Sequence, residues 1–373
     1  MKKLTGPRLM ISAASDASDV LYATGFAAVD PVAFLDDGKH KYLLVPALEL
    51  GRARESSPGV TVLTPEDLHV PRAQRRKMSS WILALLNEKK IRRALVSAVF
   101  PFGTAQRLQK KGLRVVLSLD PAYPGRQIKT EEEIKKMRAS QKAAVAAMRC
   151  AIHLIHQARP DRRGLLKGPQ GTLTSESVRG AIDLELLRHR CSGAGTIVAC
   201  GHDSFNPHSH GHGPLRKDTP IVIDIFPQHR ETHYWGDLTR TVVKGRAPDA
   251  LRAMHAAVKD AQRAALRTVR HGAQLAEVHG AVEDLFAKRG FETLVKNGVA
   301  EGFIHSTGHG VGLDIHEAPS IRRVEGRLRA GNVVTVEPGL YYPDMGGVRI
   351  EDTIVVTKTG WVSLAPLEER LEV

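Results

Sequence analysis

Two carboxylates near the middle of the chain lie where strands could carry them into one space. Asp224 stands inside the apolar run 220–226, the pattern of a buried strand, and Asp237 precedes the β-branched run 239–243. The polar segment between these runs is long enough for the strands to fold back against each other. Because an unpaired buried carboxylate is costly, we expect Asp224 and Asp237 to face one space and to share a partner there.

A second pair of carboxylates shows the same arrangement. Glu337 ends the apolar run 332–337, and Glu351 ends the run 348–351. The residues between these runs are rich in glycine and proline, which predicts a turn between two strands. We therefore predict that Glu337 and Glu351 form a second facing pair.

Convergence of the four acids would require cations. Two carboxylates separated by about 5 Å repel each other by about 3 kcal/mol at an effective dielectric constant of about 20. Two divalent ions would cancel the four charges, and His309 can add an imidazole because Gly308 and Gly310 let its backbone approach closely. This oxygen-rich donor set favours Mn²⁺ or Fe²⁺, with Zn²⁺ and Co²⁺ as alternatives. We predict two divalent ions, with Mn²⁺ preferred.

Each of these residues also has a simpler interpretation. Asp237 could cap a turn, the two glutamates could be solvated hairpin acids, and His309 is one of 17 histidines. Taken together, five ligand-type residues favour a metal site. The histidine-rich loop 201–213 could form an independent metal tract, but histidines between glycines are more often surface residues. Of that loop, only His208 is retained as a candidate.

At these residues the chain resembles the pita-bread metallopeptidases, the family of methionine aminopeptidase, aminopeptidase P and prolidase. The resemblance rests on the segments Thr-Arg-Thr, Gly-His-Gly, Glu-Pro-Gly and Arg-Ile-Glu-Asp, which occur here in the family's order. One departure is the segment 225–236, which is slightly longer than is usual in the family. The resemblance implies a metal-ligand set of Asp224, Asp237, His309, Glu337 and Glu351. It also implies a substrate pocket lined by His208, His305 and His316. Arg349 is implied to lie behind the carboxylates and is also a candidate substrate-binding residue.

The implied chemistry is hydrolysis of a peptide bond. Two cations lower the pKa of a shared water toward neutrality, so that hydroxide becomes available to attack the carbonyl carbon. Glu337 is the expected general base and proton shuttle. His305 or His316 is expected to donate a hydrogen bond to the developing oxyanion or to hold the substrate backbone.

The pattern along the chain predicts two domains. A break rich in proline lies at 120–125. Beyond it, apolar residues recur every three or four positions from Ile134, with Gln141 on the same face, behind a capping box of Thr130 and Glu133. Further helices are predicted at 175–190, 248–270 and 274–289. The predicted fold class is α+β: a pita-bread catalytic domain, in which helices cover a curved antiparallel sheet, preceded by a smaller α/β domain. The predicted bounds are 1–122 for the N-terminal domain, 123–128 for a linker and 129–373 for the catalytic domain.

Residues 18–26 resemble the start of the N-terminal domain of prolidases, aminopeptidases P and creatinases. Such a domain argues against methionine aminopeptidase, which lacks it, and implies a homodimer, because proline-specific relatives commonly dimerise through it. The resemblance thus implies an Xaa-Pro dipeptidase or an Xaa-Pro aminopeptidase that acts on longer peptides. The loop 201–213 and the segment 346–349 look more prolidase-like, so the dipeptidase is preferred. A metal-free creatinase-like hydrolase and a non-catalytic binding protein are less favoured, because all five ligand positions are filled.

Composition limits the other classes of function. The chain has 373 residues, 42% of them hydrophobic, but no stretch of eighteen apolar residues and no signal-peptide pattern, so neither membrane insertion nor secretion is expected. Three cysteines without paired metal spacing favour the reducing cytoplasm.

The formal charge is +14, and residues 72–77 form a basic cluster. Because aromatic residues are only 5% of the chain, a solvated basic surface is favoured over nucleic-acid binding.

Overall fold

The computed structural model describes residues 5–12, 16–193 and 195–373. The chain divides into two compact units, Met1–Arg126 and Gln127–Val373. Residues 1–4, part of the N-terminal segment without a signal-peptide pattern, lie outside the described residues. No helix in the described ranges combines the length and the apolar composition that crossing a membrane requires.

The described residues of the first unit form a mixed sheet covered by helices. The six strands are β1 (Arg8–Ile11), β2 (Ala33–Asp36), β3 (Lys41–Leu44), β4 (Thr61–Leu63), β5 (Arg93–Val96) and β6 (Arg114–Leu117). The helices are α1 (Asp16–Thr24), α2 (Leu50–Ser56), α3 (Met78–Glu88) and α4 (Phe102–Lys110). The strand order is β4-β3-β2-β1-β5-β6. Because β1, β5 and β6 run parallel to one another, their carboxyl ends lie at one edge of the sheet.

Both faces of this sheet are buried, which explains its strand sequences. Leu9 and Ile11 of β1 belong to one core cluster with Leu85 of α3, whereas Met10 belongs to another with Val20 of α1. Successive side chains of a strand point to opposite faces, so a strand covered on both sides needs a continuous apolar run. The α/β character predicted for this part of the chain is confirmed.

The second unit mixes helices with short strands. Its helices are α5 (Glu131–Gln157), α6 (Ser175–Arg188), α7 (Asp249–Thr268) and α8 (Leu275–Lys288). Its strands are β7 (Arg159–Pro160), β8 (Leu166–Gly168), β9 (Gly171–Thr172), β10 (Cys191–Gly193), β11 (Ile197–Cys200), β12 (Ile221–Ile225), β13 (Pro227–His229), β14 (Leu238–Val242), β15 (Leu294–Lys296), β16 (Val299–Glu301), β17 (Gly308–Gly310), β18 (Glu317–Ile321), β19 (Val333–Val336), β20 (Gly339–Tyr342), β21 (Gly346–Arg349), β22 (Asp352–Val356) and β23 (Trp361–Ser363). The ladders between these strands are antiparallel, as predicted for this unit.

The predicted helices of this unit form close to their predicted bounds. The Thr130 hydroxyl accepts a hydrogen bond from the Glu133 amide, and the Glu133 carboxylate accepts one from the Thr130 amide, so the predicted capping box opens α5. The apolar faces of α5 and α6 share a core with β12 and β14. The apolar faces of α7 and α8 share a second core with β19 and β22. The helices therefore support the strands that carry the candidate ligands.

Two sheets position the acidic residues. In the order β11-β12-β14, Asp224 lies opposite Thr239. In the order β18-β17-β19-β22-β23, Val336 lies opposite Asp352. The partner of β19 is therefore β22 and not the predicted run 348–351. Val348 and Arg349 of that run belong to β21, which forms a separate hairpin with β20, and Ile350 and Glu351 connect β21 to β22.

The longer segment between the first two acids contains a strand as well as a loop. Within residues 225–236, β13 pairs with β10, and Gln228 forms a bridge with Trp235. The register of Asp224 is nonetheless set on both sides, by Ile197 of β11 and by Thr239 of β14. The additional residues of this segment therefore contribute to the separate pairing of β13 with β10, outside the sheet that contains Asp224.

Candidate metal centre and substrate cleft

All five predicted ligands line one cleft of about 520 Å³ in the second unit. The side chains of Asp237, His309 and Glu351 offer ligand atoms that lie within 4.8 Å of one another. The Nε2 atom of His309 lies 3.6 Å from Oδ2 of Asp237 and 3.3 Å from Oε1 of Glu337. Asp224 belongs to the same cluster through its contact with Arg349, described below. The structure therefore brings together the residues that the sequence analysis selected.

The two glycines beside His309 are required by close approach of neighbouring strands. A Cβ atom on Gly308 would lie 2.0 Å from the carbonyl oxygen of Thr335, and a Cβ atom on Gly310 would lie 2.5 Å from that of Ala318. Any larger residue at either position would push β17 away from its neighbours. The Gly-His-Gly segment thus allows the imidazole to enter the cleft from a tightly packed central strand.

Two threonine hydroxyls hold the two glutamates. Oγ1 of Thr239 donates to Oε2 of Glu351 at 2.6 Å, and Oγ1 of Thr335 donates to Oε1 of Glu337 at 3.0 Å. Thr335 also accepts a hydrogen bond from the backbone amide of His309 at 3.0 Å. Each hydroxyl bonds to one oxygen of its glutamate. The carboxylate is thereby oriented, and its other oxygen can still bind a further partner.

Asp237 is fixed through its backbone by a side chain of α5. Nε2 of Gln141 donates to the Asp237 carbonyl, and Oε1 of Gln141 accepts from the Asp237 amide, both at 2.8 Å. The Thr353 hydroxyl donates to the same carbonyl at 2.8 Å.

Arg240, which is 2% exposed, donates to the carbonyl of Glu351 at 2.6 Å and to Oδ1 of Asp352 at 2.8 Å. These bonds join β14 to the start of β22, so Asp237 and Glu351 keep a fixed spacing.

The guanidinium of Arg349 is occupied by three protein partners. It donates from Nη2 to Oδ2 of Asp224 at 2.7 Å, from Nη1 to the Tyr341 hydroxyl at 2.7 Å, and from Nε to Oγ1 of Thr239 at 3.2 Å. From the sequence, Arg349 is predicted both to bind the substrate and to lie behind the carboxylates. The three bonds favour the second role, because they direct its donors to Asp224 and its neighbours.

The charges of the cluster fit bound cations. Burial raises the pKa of Asp237 and of Glu351 well above the ordinary values, and repulsion among the carboxylates raises both further. Burial also raises the pKa of Glu337. Oδ1 of Asp224 is buried and has no hydrogen-bond partner among the described residues. Four carboxylates around one arginine, with an unpartnered oxygen among them, are an arrangement that divalent ions would stabilise.

The ring of His309 is oriented as a metal ligand requires. Its Nδ1 lies 3.2 Å from the carbonyl oxygen of Gly310, which assigns the proton to Nδ1. Burial lowers the pKa of His309, so the imidazole is neutral and the Nε2 lone pair faces the carboxylates. A lone pair facing carboxylate oxygens is repulsive unless a cation lies between them. The donor set of His309 and the four acids therefore fits divalent ions, as an oxygen-rich site with one imidazole does.

The three predicted substrate-pocket histidines all line the cleft. The His316 ring stands edge-on to the His309 ring, with centroids 4.3 Å apart. His305 has both nitrogens engaged: Nδ1 lies 2.7 Å from the Ser306 carbonyl oxygen, and Nε2 lies 3.1 Å from the Tyr341 hydroxyl. Burial lowers the pKa of both His305 and His316. Both are therefore neutral, but His305 is held by the protein on both sides.

Sequence reasoning missed several residues of the cleft. Tyr341 connects Arg349 to His305, and burial raises the pKa of its phenol to about 12, so the hydroxyl keeps its proton. His210, which the sequence analysis set aside with the other loop histidines, lines the cleft near Gly195. Its loop is held by Arg179, which donates to the backbone carbonyls of His210 and Gly211. The apolar part of the lining includes Ile197, Pro207, Phe226, Ile304 and Ile315.

We expect Tyr341→Phe to lower the free energy of unfolding by about 1.5–3 kcal/mol, because it leaves a buried donor of Arg349 without its acceptor. Urea denaturation measures this loss. Tyr342→Phe is the matched control, since the Tyr342 hydroxyl donates to the Glu292 carbonyl at an exposed position. Equal losses in the two variants would contradict the assignment of Tyr341 to the support of the site.

Comparisons with known proteins agree with this geometry. Residues 135–358 match the model of metallopeptidase family M24, and residues 9–139 match the Creatinase/Prolidase N-terminal domain. The chain is 30% identical to the Xaa-Pro dipeptidase of Pyrococcus horikoshii over 95% of this chain and 92% of that protein. It is 28% identical to the Xaa-Pro dipeptidase of Pyrococcus furiosus over the same shares of the two chains.

Solved structures show the same fold. The prolidase of Pyrococcus horikoshii OT3 superposes with a TM-score of 0.82 at 28% identity, covering 98% of this chain and 95% of that one. An X-Pro aminopeptidase of Thermotoga maritima reaches a TM-score of 0.80 at 22% identity, covering 99% and 98%, which shows a shared fold alone. The predicted fold class, a pita-bread catalytic domain after a smaller α/β domain, is confirmed. The family matches cover both units, and the chain belongs to metallopeptidase family M24.

Proposed function

We propose that this protein is an Xaa-Pro dipeptidase that hydrolyses the bond before proline with two divalent metal ions. The observation that carries this proposal is the ligand cluster, in which Asp237, His309 and Glu351 offer ligand atoms within 4.8 Å of one another. The similarity to named Xaa-Pro dipeptidases over 95% of the chain supports the choice of substrate. The proposed ligands are Asp224, Asp237, His309, Glu337 and Glu351.

Bound divalent ions would supply an acidified water and polarise the peptide carbonyl. We assign Glu337 the transfer of the proton from the attacking water to the prolyl nitrogen, because burial raises its pKa toward the range useful to a general base. The role of hydrogen-bond donor to the carbonyl oxygen goes to His316, since both nitrogens of His305 already have protein partners. His305 and Arg349 then position the acids and the cleft wall.

The cleft wall suits a small peptide that contains proline. Phe226, Ile304 and Ile315 offer apolar surface for the pyrrolidine ring and the residue before it. His208 lines the same cleft and is the proposed partner of the free carboxylate of the dipeptide. Recognition of that carboxylate is what distinguishes a dipeptidase from an aminopeptidase that must leave the end of the substrate open.

The metal is proposed to be Mn²⁺, with Fe²⁺, Co²⁺ and Zn²⁺ as alternatives, because the donor set is four carboxylates and one imidazole.

We also propose a homodimer, in line with the resemblance of residues 18–26 to the domain through which proline-specific relatives dimerise. Sedimentation equilibrium measures the assembly. A reducing cytoplasm is proposed because Cys150, Cys191 and Cys200 are free thiols.

The test is release of proline from an Xaa-Pro dipeptide beside cleavage of the matching Xaa-Pro-Yaa tripeptide. Protein stripped with chelator is assayed alone and after addition of each of the four metals. We expect metal-dependent release of proline from the dipeptide, with Mn²⁺ the most effective ion. Cleavage of the tripeptide alone would identify an Xaa-Pro aminopeptidase, and activity that survives complete removal of metal would overturn the metallopeptidase mechanism.

A further inference from the structure

The His316 ring, the proposed hydrogen-bond donor to the substrate carbonyl, has no hydrogen-bond partner among the described residues. It contacts the His309 ring edge-on, with centroids 4.3 Å apart. His305 differs, because protein groups engage both of its nitrogens. The position of the His316 imidazole in the cleft therefore depends on the backbone that carries it, which is the connection from β17 to β18.

Glu317, the residue after His316, holds this connection from behind the cleft. A Cβ atom on Gly312 would lie 2.6 Å from both carboxylate oxygens of Glu317, so the carboxylate packs directly against the Gly312 backbone. Gly310 and Glu317 also pair across β17 and β18. The carboxylate therefore closes the base of the loop that presents His316 to the cleft.

Lys129 forms a buried ion pair with this carboxylate. Its Nζ lies 2.5 Å from Oε1 of Glu317, and the two side chains are 1% and 10% exposed. Both residues belong to the second unit. Desolvation offsets much of the attraction in a buried ion pair, so the pair is weak evidence for stability. Its geometric effect is to tie the Glu317 carboxylate to the segment that carries Lys129.

The backbone of Lys129 is itself attached to the strand that leads to Glu337. The Lys129 amide donates to the Gly331 carbonyl at 2.8 Å. Gly331 lies just before β19, and Glu337, the proposed proton shuttle, directly follows that strand. A continuous set of contacts thus runs from the start of β19 through Lys129 and Glu317 to the residue that carries the His316 imidazole.

We propose that Lys129 is a positioning residue, which sets the place of the His316 imidazole relative to Glu337 through its ion pair with Glu317. The inference rests on the proposed function, because it takes His316 as the donor to the carbonyl oxygen. Such a donor must lie about 3 Å from the oxygen as negative charge develops there. A displacement of about 1 Å can lower the rate about 10²-fold, so the effect of the ion pair falls on kcat.

A double-mutant cycle on kcat for an Xaa-Pro dipeptide tests this coupling. His316→Ala should lower kcat by about 10²–10³-fold, and Lys129→Met by about tenfold to hundredfold. Because Lys129 acts through His316, Lys129→Met should lower kcat by less than about twofold further in the His316→Ala background. A merely structural role would instead multiply the two losses. Elemental analysis of the same samples should show unchanged metal content.

Glu317→Gln is the second variant, and it carries the same cycle if Lys129→Met does not fold. Glutamine keeps the shape of the side chain and an oxygen that accepts from Lys129, so its loss of kcat should be smaller and should also vanish beside His316→Ala. The two variants change the net charge in opposite directions, whereas both should lower kcat. Lys259→Met, which breaks an ion pair with Glu369 at 3.0 Å, is the matched control and should leave kcat unchanged.

Three results would overturn the inference alone: an unchanged kcat in Lys129→Met, losses that multiply in the double variant, or opposite effects of Lys129→Met and Glu317→Gln. The last result would assign the effect to charge near the metal ligands. A wild type that cleaves no Xaa-Pro peptide would overturn the proposed function and this inference with it. An enzyme that cleaves only the tripeptide is tested by the same cycle on that substrate.

Discussion

We expect Glu337→Gln to lower kcat for an Xaa-Pro dipeptide by about 10²–10⁴-fold, the range that a positioned general base contributes. Glutamine keeps the size of the side chain and an oxygen that can accept from the Thr335 hydroxyl, so the wall of the cleft is preserved. It cannot accept the proton of the attacking water or return it to the leaving nitrogen. It also removes one negative charge from the ligand cluster, which weakens the hold on a cation.

Steady-state assays at saturating metal, combined with elemental analysis of the same samples, separate these two effects. A variant that binds metal fully but turns over slowly would place the loss in proton transfer. Asp344→Asn is the control, because Asp344 lies in the exposed turn between β20 and β21 and its substitution should leave kcat unchanged. A kcat for Glu337→Gln within a few-fold of the wild type would remove Glu337 from the mechanism.

The ligands could be selected from the sequence because each lies on a local pattern that survives folding. Asp224 interrupts an apolar run, and the burial of all five residues of β12 is what that run predicts. His309 stands between glycines, and the 2.0 Å separation that a Cβ on Gly308 would have from Thr335 shows why those glycines are needed. In both cases the signal lies within a few residues of the ligand, so no knowledge of the tertiary fold was necessary.

The residues that hold the ligands carry no such local signal. In the sequence, Tyr341 is an ordinary strand residue. Its hydroxyl contacts Arg349 and His305 because β20 and β21 form a separate hairpin, which the sequence does not indicate. Gln141 falls on the apolar face of α5, where a polar side chain is unusual. That position was a usable sign, since its amide holds both the amide and the carbonyl of Asp237.

The prediction that β19 pairs with the run 348–351 was wrong, and the error has a physical reason. Residues rich in glycine and proline between two apolar runs predict one turn, so the sequence predicts a single turn between Glu337 and Glu351. The chain instead forms a complete hairpin there, and β19 pairs with β22 beyond it. Glu337 and Glu351 still come together, because each lies next to the paired ends Val336 and Asp352. The prediction of facing acids therefore did not depend on the length of the turn.

The carboxylate cluster should make the metal-free protein less stable as the pH rises, and Glu351→Gln should relieve this. Burial and the charges of Glu337 and Asp224 raise the pKa of Glu351 in the folded state above its unfolded value of about 4.3. The folded state then binds more protons than the unfolded state, so the free energy of unfolding falls as the pH rises above about 4 toward the folded pKa. Each retained proton contributes a slope of about 1.4 kcal/mol per pH unit.

Urea denaturation of chelator-stripped protein between pH 5 and pH 8, a window set by those shifts, measures the effect. We expect Glu351→Gln to exceed the wild type in stability at the upper end of this window, while Glu325→Gln, an exposed control, matches the wild type. Added Mn²⁺ should reverse the order. At about 100 times its Kd, it stabilises the wild type by about 2.7 kcal/mol per site, and the variant lacks one ligand of that site. If Glu351→Gln were less stable than the wild type without metal at every pH, the acids would not repel one another as their burial implies.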